Sequence, residues 1–255
     1  MSNASHAPSI LKRILHTKSE EVVSAAVQVP LRELSAQAED APPTRGFHAA
    51  LLSTIGAGQP AVIAECKRAS PSKGVIRDPY LPGDIAKSYA RGGASALSVL
   101  TDREYFLGAP QHLIEARQSC SLPTLRKDFI VDQYQIYEAR VLGADAILLI
   151  VAALGDAQLV EFAGLSGHLG MDVLVEVHGD EELDSALDLT DAIIGINHRN
   201  LSTLELDPER ALTLRPRIPA DRLAVAESGI GSREDLVRLE RGGFRAFLIG
   251  GHLSA

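Results

Sequence analysis

Lysines and carboxylates recur where short apolar runs of this sequence end. Glu65 and Lys67 close the first such run and open the polar stretch Arg68-Ala69-Ser70-Pro71-Ser72-Lys73-Gly74. Arg126-Lys127-Asp128 follows the third run. Glu176 and His178 end the fifth, Asn197-His198-Arg199-Asn200 the sixth and Glu227-Ser228-Gly229 the seventh. Buried charges are tolerable only when paired. An inward-facing set of Glu65, Lys67, Lys127, Glu176 and Asn197 is therefore either a salt-bridge network that closes one end of a fold or a site that moves protons. Burying so many charges for stability alone is inefficient, which favours a site. A strand-end lysine beside another cation can also have a lowered pKa and attack a carbonyl, as in a Schiff-base aldolase. Ser228-Gly229 and Gly250-Gly251 add backbone N–H groups that no side chain obstructs, a suitable cradle for phosphate.

Other chemistries find less support. The two cysteines, Cys66 and Cys120, form no C-x-x-C pair, which argues against a zinc site and a disulfide scaffold. Cys66 lies between Glu65 and Lys67, so strand alternation turns it to the opposite face, toward a helix layer. No H-E-x-x-H occurs, and neither His178 nor His198 has a second ligand at metal spacing. Both histidines suit hydrogen-bonding or rim roles, and no metal is assigned. Gly229-Ile230-Gly231 has no third glycine in register for a dinucleotide loop.

Something must bring these residues together. With 255 residues, 45% hydrophobic and 23% charged, the chain has the composition of an average folded domain and the length of one α/β barrel. A formal charge of −8 disfavours a general nucleic-acid binder. Apolar residues at helical spacing predict a helix over residues 9–26 and a second over 46–55, separated by a polar, proline-bearing stretch around Glu39-Asp40 and Pro42-Pro43. These two helices could cap a barrel end. From Pro60 onward, apolar runs occupy residues 61–66, 96–100, 124–125, 146–150, 173–177, 192–196, 223–226 and 246–249. They do not alternate, as expected of strands covered on both faces. Each but the last is followed by a helix-like segment with a start signal such as Asp84, Asp132, Asp156, Ser232 or Asp207-Pro208-Glu209. Eight strands alternating with helices predict an α/β protein, a closed (β/α)8 TIM barrel with an N-terminal helical extension and a shortened C-terminus. The expected organisation is a single domain: a flexible tail over 1–9, the helical extension over 10–59 and the barrel over 60–251. Few residues follow the last run, so the outer face of that strand is expected to stay bare. Residues 1–9 lack the apolar run of a signal peptide, and the longest apolar stretch, 146–154, is too short to span a bilayer. A cytoplasmic protein is expected.

Six segments resemble the indole-3-glycerol phosphate synthase family: Ala64 through Gly74, Leu125-Arg126-Lys127-Asp128-Phe129-Ile130, Val175-Glu176-Val177-His178, Gly195 through Leu201, Ala226-Glu227-Ser228-Gly229-Ile230 and Phe247-Leu248-Ile249-Gly250. The resemblance implies the same barrel. It implies conversion of 1-(2-carboxyphenylamino)-1-deoxyribulose 5-phosphate to indole-3-glycerol phosphate, CO2 and water in tryptophan biosynthesis, with no metal or organic cofactor. Lys127 matches the family's general acid and Lys67 a second lysine near the substrate carboxylate. Glu176 matches the carboxylate that handles protons and steadies a cationic intermediate. Glu65 would orient the lysines, Asn197 would hold a substrate hydroxyl, and Ser228 lines the site. Ser70, Gly229, Gly250 and Gly251 match phosphate positions. Phe106, Phe129 and Leu148 match the apolar walls, and Arg199 matches a lining position. Gly251 stands where the family more often has Ser or Glu, and Ala109-Pro110 where Ser and an aromatic are usual. The implied partner is a small phosphorylated substrate, with neither nucleic acid nor membrane, acting on a monomer or weak homodimer. A sister isomerase of phosphoribosylanthranilate would want a strand-end Cys and Asp pair, which Cys66 does not supply, and a catalytically silent phosphate-binding barrel is the non-enzymatic alternative.

Overall fold

A computed structural model describes residues 10–200 and 205–250. Eight parallel strands close into a barrel: β1 (Ala61–Cys66), β2 (Ala96–Leu100), β3 (Thr124–Lys127), β4 (Ala146–Ile150), β5 (Asp172–Val177), β6 (Ile193–Asn197), β7 (Ala224–Glu227) and β8 (Ala246–Ile249). Closure sets Ala61 of β1 beside Ala246 of β8, with Ile63 beside Ala96 on the other flank. The strands follow the predicted runs, but β3, β6 and β7 each reach to the polar residue that ends the run, Lys127, Asn197 and Glu227. These side chains therefore sit in the sheet, where the ladder fixes them, and not on loops.

The absence of alternation has a direct cause. Residues facing the barrel axis form one apolar core that includes Ile63, Leu125, Leu148, Leu174, Ile193, Val225 and Leu248. Their neighbours, among them Ala64, Cys66, Val99, Ile147, Val175, Ile196 and Phe247, form a second core beneath the helices. Because the side-chain period of a strand is two, the inward apolar residue dictates which polar residue also points inward. Ile63 leads to Glu65 and Lys67, Leu125 to Lys127, Leu174 to Glu176, Val225 to Glu227 and Leu248 to Gly250. The outer face of β8 is covered, contrary to expectation: Phe247 is fully buried and Ile249 nearly so. Both share the outer core with Ile85, Tyr89 and Leu239. In a closed barrel the last strand lies beside the first, so its cover need not come from the residues that follow it. The predicted tail over 1–9, Gly251 and the chain's last residues lie outside the described set.

Between the strands run α4 (Pro82–Arg91), α5 (Pro110–Ser119), α6 (Gln133–Val141), α7 (Asp156–His168), α8 (Asp180–Leu187), α9 (Arg210–Leu214) and α10 (Arg233–Arg241). Asp132 and Ser232 cap α6 and α10 in capping boxes, as their spacing to Gln135 and Asp235 allows. Ala109-Pro110 does no harm to its loop, since Pro110 opens α5 at a position that tolerates proline.

The N-terminal extension contains three helices, not the two expected: α1 (Ile10–Gln28), α2 (Leu31–Glu39) and α3 (Phe47–Gly56). The missed α2 buries only Leu34 and Ala38, a stripe too thin to read in a polar segment. Phe47 and Leu51 of α3 are fully buried in the inner core together with the strand-opening Ala61, Ala96, Ala146 and Ala246, so this helix plugs the N-terminal end of the barrel. Helix α1 sits at the opposite end, where Leu11 and Ile14 line the main cavity.

Lys18 holds α1 in place. Its buried ammonium lies 2.9 Å from Asp102, 3.1 Å from Asp128 and 2.7 Å from Glu21. Burial alone would lower its pKa, but the charges of Asp128 and Asp102 outweigh burial and raise it. Removing one member of a buried ion cluster strands the others, at a cost of about 3–5 kcal/mol. Lys18→Met is therefore expected to lower the unfolding free energy by that amount, seen as a lower denaturant midpoint. A midpoint equal to that of the parent chain would show that the cluster does not anchor the helix.

Candidate active site

At the C-terminal ends of the strands lies a cavity of about 310 Å3. This is the end of a parallel α/β barrel where sites are built. Glu65, Lys67, Ser70, Phe106, Lys127, Phe129, Leu148, Glu176, Asn197, Arg199, Ser228, Gly229 and Gly250 all line it. Gly251, also singled out in the sequence, lies outside the described residues, and His178 and His198 are not part of this wall.

The centre of the site is Lys127. Its Nζ lies 2.6 Å from Glu227 Oε2 and 3.1 Å from Glu176 Oε2. Burial alone would push this ammonium toward neutrality, but Glu227, Glu176 and Glu65 outweigh burial and hold it above the ordinary lysine range. A Schiff-base lysine must present a neutral amine, and the neighbours of Lys127 are carboxylates, which keep it charged. The aldolase alternative loses its chemical basis here. Lys67 pairs with Glu65 at the cavity wall and remains partly exposed.

The two carboxylates beside Lys127 behave oppositely. Burial opposes the charge on Glu176, but Lys127 and His178 prevail and hold it well below the ordinary carboxylate range, helped by a hydrogen bond with Asn197. For Glu227, burial is the larger influence. With Glu176 and Glu65 adding repulsion, it rises to about 7 despite Lys127. Their surroundings thus push the two carboxylates in opposite directions, Glu176 toward the ionised and Glu227 toward the protonated form, a division that allows acid and base work in one place.

Glu227 was quoted in the sequence as a strand-end residue but given no role. The signal was available, since Glu227 lies two residues beyond the inward Val225. Leu11 and Ile14 were also missed, because an amphipathic pattern shows that a helix has an apolar face but not what that face covers.

The remaining walls have distinct characters. Phe106 and Phe129 stand with ring centroids 6.1 Å apart, and buried Leu148 continues the apolar surface. Ser70 lies on a two-rung antiparallel ladder that pairs Ala69–Ser70 with Gly74–Val75, which folds the loop after β1 over the cavity. Ser228 and Gly229 both take positive φ, 68° and 69°. His198 Nδ1 lies 2.8 Å from the Ser228 carbonyl, and burial lowers the pKa of its ring, so a neutral imidazole donating from Nδ1 secures this turn. Asn197 Oδ1 accepts the Arg199 N–H at 3.0 Å. Cys66 faces the outer core, as expected, and burial lifts its thiol to about 12, which removes it as a nucleophile.

A family model described as Indole-3-glycerol phosphate synthase matches residues 11–255. Among solved structures, the chain is similar to the N-acetylmannosamine-6-phosphate 2-epimerase from Clostridium perfringens. The TM-score is 0.58 at 14% identity, over 75% of this chain and 86% of that one. It is also similar to the tryptophan synthase subunit alpha from Legionella pneumophila str. Paris. There the TM-score is 0.61 at 11% identity, over 83% of this chain and 88% of that one. Identities this low speak for the shared barrel alone.

Proposed function

The chain belongs to the indole-3-glycerol phosphate synthase family, carboxy-lyases of tryptophan biosynthesis, and we propose how its residues divide the work of that ring closure. The observation that carries the reading is Lys127 held between Glu227 at 2.6 Å and Glu176 at 3.1 Å. The ring carbon that bears the carboxylate attacks the ketone carbon of 1-(2-carboxyphenylamino)-1-deoxyribulose 5-phosphate. Lys127 gives a proton to the ketone oxygen as the bond forms. CO2 then leaves, and its bonding pair restores the aromatic ring. In the last step the new hydroxyl departs as water with a second proton, and a carboxylate removes a proton from the adjacent carbon. Glu227, poised near neutrality, suits that exchange. Glu176, held ionised, stabilises the cationic ring system. Lys67 meets the substrate carboxylate, oriented by Glu65, and Asn197 holds a substrate hydroxyl. Phe106, Phe129 and Leu148 enclose the aromatic ring, and Arg199 lines the approach.

The phosphate goes to Ser70, the Ser228-Gly229 turn and Gly250; Gly251, the next residue in the sequence, lies outside the described residues. A side chain at Gly229 is strained because its φ is positive, although a Cβ there would make only ordinary contact with Leu206 at 3.4 Å. Inorganic phosphate is expected to inhibit competitively. Gly229→Val is expected to raise KM about tenfold, in line with the loss of one hydrogen bond to a charged group of about 1.5–3 kcal/mol, and to weaken phosphate inhibition in parallel. Unchanged phosphate inhibition in that variant would place the anion elsewhere. The reading as a whole is tested by following indole-3-glycerol phosphate formation by absorbance and fluorescence with the purified chain. A folded chain that binds a substrate analogue but forms no product would make it a silent phosphate-binding barrel.

A further inference from the structure

We infer that Lys18 is a positioning residue for substrate recognition: from outside the cavity it sets the spacing of the two aromatic walls, and this rests on the reading above in which Phe106 and Phe129 enclose the substrate ring. Neither Lys18 nor Asp102 lines the cavity. Yet each aspartate that Lys18 touches holds the backbone of one wall. Asp102 Oδ1 accepts the N–H of Tyr105 at 2.7 Å and that of Phe106 at 3.1 Å, so the turn after β2 that carries Phe106 folds around this carboxylate. Asp128 Oδ1 accepts the Phe129 N–H at 2.8 Å, just past Lys127 at the end of β3. Lys18 Nζ lies 2.9 Å from Asp102 Oδ2 and 3.1 Å from Asp128 Oδ1. One ammonium thus bridges the two segments whose rings stand 6.1 Å apart.

The two sides of this bridge are not equally secure. Asp128 is anchored without Lys18, since its Oδ2 accepts the Thr101 hydroxyl at 2.5 Å and lies 3.4 Å from the Arg126 guanidinium. Lys18 therefore refers Asp102, and with it Phe106, to a fixed point on β3. A second contact supports the same turn, Thr17 Oγ1 with the Tyr105 hydroxyl at 3.1 Å. Leu11, Ile14 and Lys18 fall on one face of α1 by their spacing, so the helix that supplies Leu11 and Ile14 to the cavity also carries the bridge. An apolar side chain of similar volume would avoid the cost of burying charge. Apolar contact is non-directional, however, and would let the turn slide, whereas an ammonium between two carboxylates fixes a distance. Without it, the buried Asp102 carboxylate faces Asp128 with no cation between them, and the Phe106 turn moves away and widens the slot.

A clamp that only stabilises the fold is the competing account, and two ligands separate them. One is inorganic phosphate. The other is the substrate with its ketone reduced to an alcohol, which keeps ring and phosphate but cannot react. Binding of both is measured by calorimetry at a temperature where a melt shows the variant folded. Lys18→Met is expected to weaken the reduced analogue about tenfold, equivalent to about 1.4 kcal/mol, and to leave phosphate within about twofold of the parent. Phosphate is spared because the Ser228-Gly229 turn and Gly250 follow β7 and β8, which pair with neither β2 nor β3. A folded variant that binds both ligands as the parent does leaves Lys18 a structural clamp and overturns its positioning role. So does one that loses affinity for both alike, since the whole site has then loosened. If Lys18→Met fails to fold, Asp102→Asn decides by the same measure. Its amide oxygen still accepts the Tyr105 and Phe106 N–H groups, but it meets Lys18 without a charge. Phe106→Ala is the control for the underlying reading. If it binds the reduced analogue as tightly as the parent, the assignment of the walls has failed. If it weakens the analogue while the deciding variant does not, only the role of Lys18 has failed.

Discussion

Lys127→Ala is expected to fold and to turn over about 10²–10⁴-fold more slowly than the parent chain, the range for loss of a positioned general acid. The expected loss does not come from removing just any cation from a cavity. It depends on where the cation sits, in contact with both Glu176 and Glu227, so that its removal disables all three. Without the ammonium, two buried carboxylates face each other, and at least one must take up a proton. That neutralisation is why the fold survives: the site relieves its repulsion by protonation and not by opening. It is also why small changes elsewhere will not restore activity, since Glu227, the carboxylate that burial already raises, would hold that proton and no longer be free to remove one from carbon. Arginine is no remedy, because a guanidinium does not release its proton at any working pH. Turnover measured beside a denaturant melt checks both halves of the expectation. A Lys127→Ala variant retaining a third of the parent kcat would remove this residue from the role of acid.

Why so much of the site was legible follows from strand geometry. Once a run is read as a strand buried on both faces, the period of two decides what points inward. Glu65, Lys127, Glu176 and Asn197 follow from Ile63, Leu125, Leu174 and Ile193 without further information. Barrel closure then gathers strand ends that lie far apart in the chain. What stayed illegible is of another kind. The pairing of His178 Nδ1 with Glu182 Oε2 at 3.1 Å crosses from the residue after β5 to α8 and depends on the angle of the chain between them. The clamp of Lys18 on Asp102 and Asp128 joins segments about a hundred residues apart, and nothing in the local sequence marks a lysine of an amphipathic helix as buried. The bare outer face expected for β8 failed for a topological reason. Counting the residues after a strand ignores that a closed sheet borrows its cover from the neighbours of its first strand. Helix α2 failed for an energetic one, since two small contacts, Leu34 and Ala38, draw their strength from packing and leave no pattern.

Gly195 was read only as part of a family motif, yet its missing side chain shapes the site. It lies on the inner face of β6, between Ile193 and Asn197, in register with Glu176 on one flank and Val225 on the other. A Cβ there would overlap the Glu227 carboxylate at Oε1 and lie 3.2 Å from Leu174 Cδ1. Glu227 Oε1 has no hydrogen-bond partner among the described residues, so no bond secures this end of the carboxylate, and the vacancy over Gly195 is what seats it. Gly250 does the same for the other pair, since a Cβ there would come within 2.5 Å of Glu65 Oε2. Gly195→Ala should therefore push Glu227 away from Lys127. A misplacement of about 1 Å in a catalytic group can cost about 10²-fold, and a loss of kcat of that order is expected. Backbone strain does not enter, because Gly195 is not among the residues with positive φ, so the fold should hold. A double-mutant cycle identifies the cause. If alanine acts by displacing Glu227, it costs little more once Glu227→Gln has already removed the carboxylate. If the two losses multiply in full, the alanine acts elsewhere, and Gly195 is not the seat of that carboxylate.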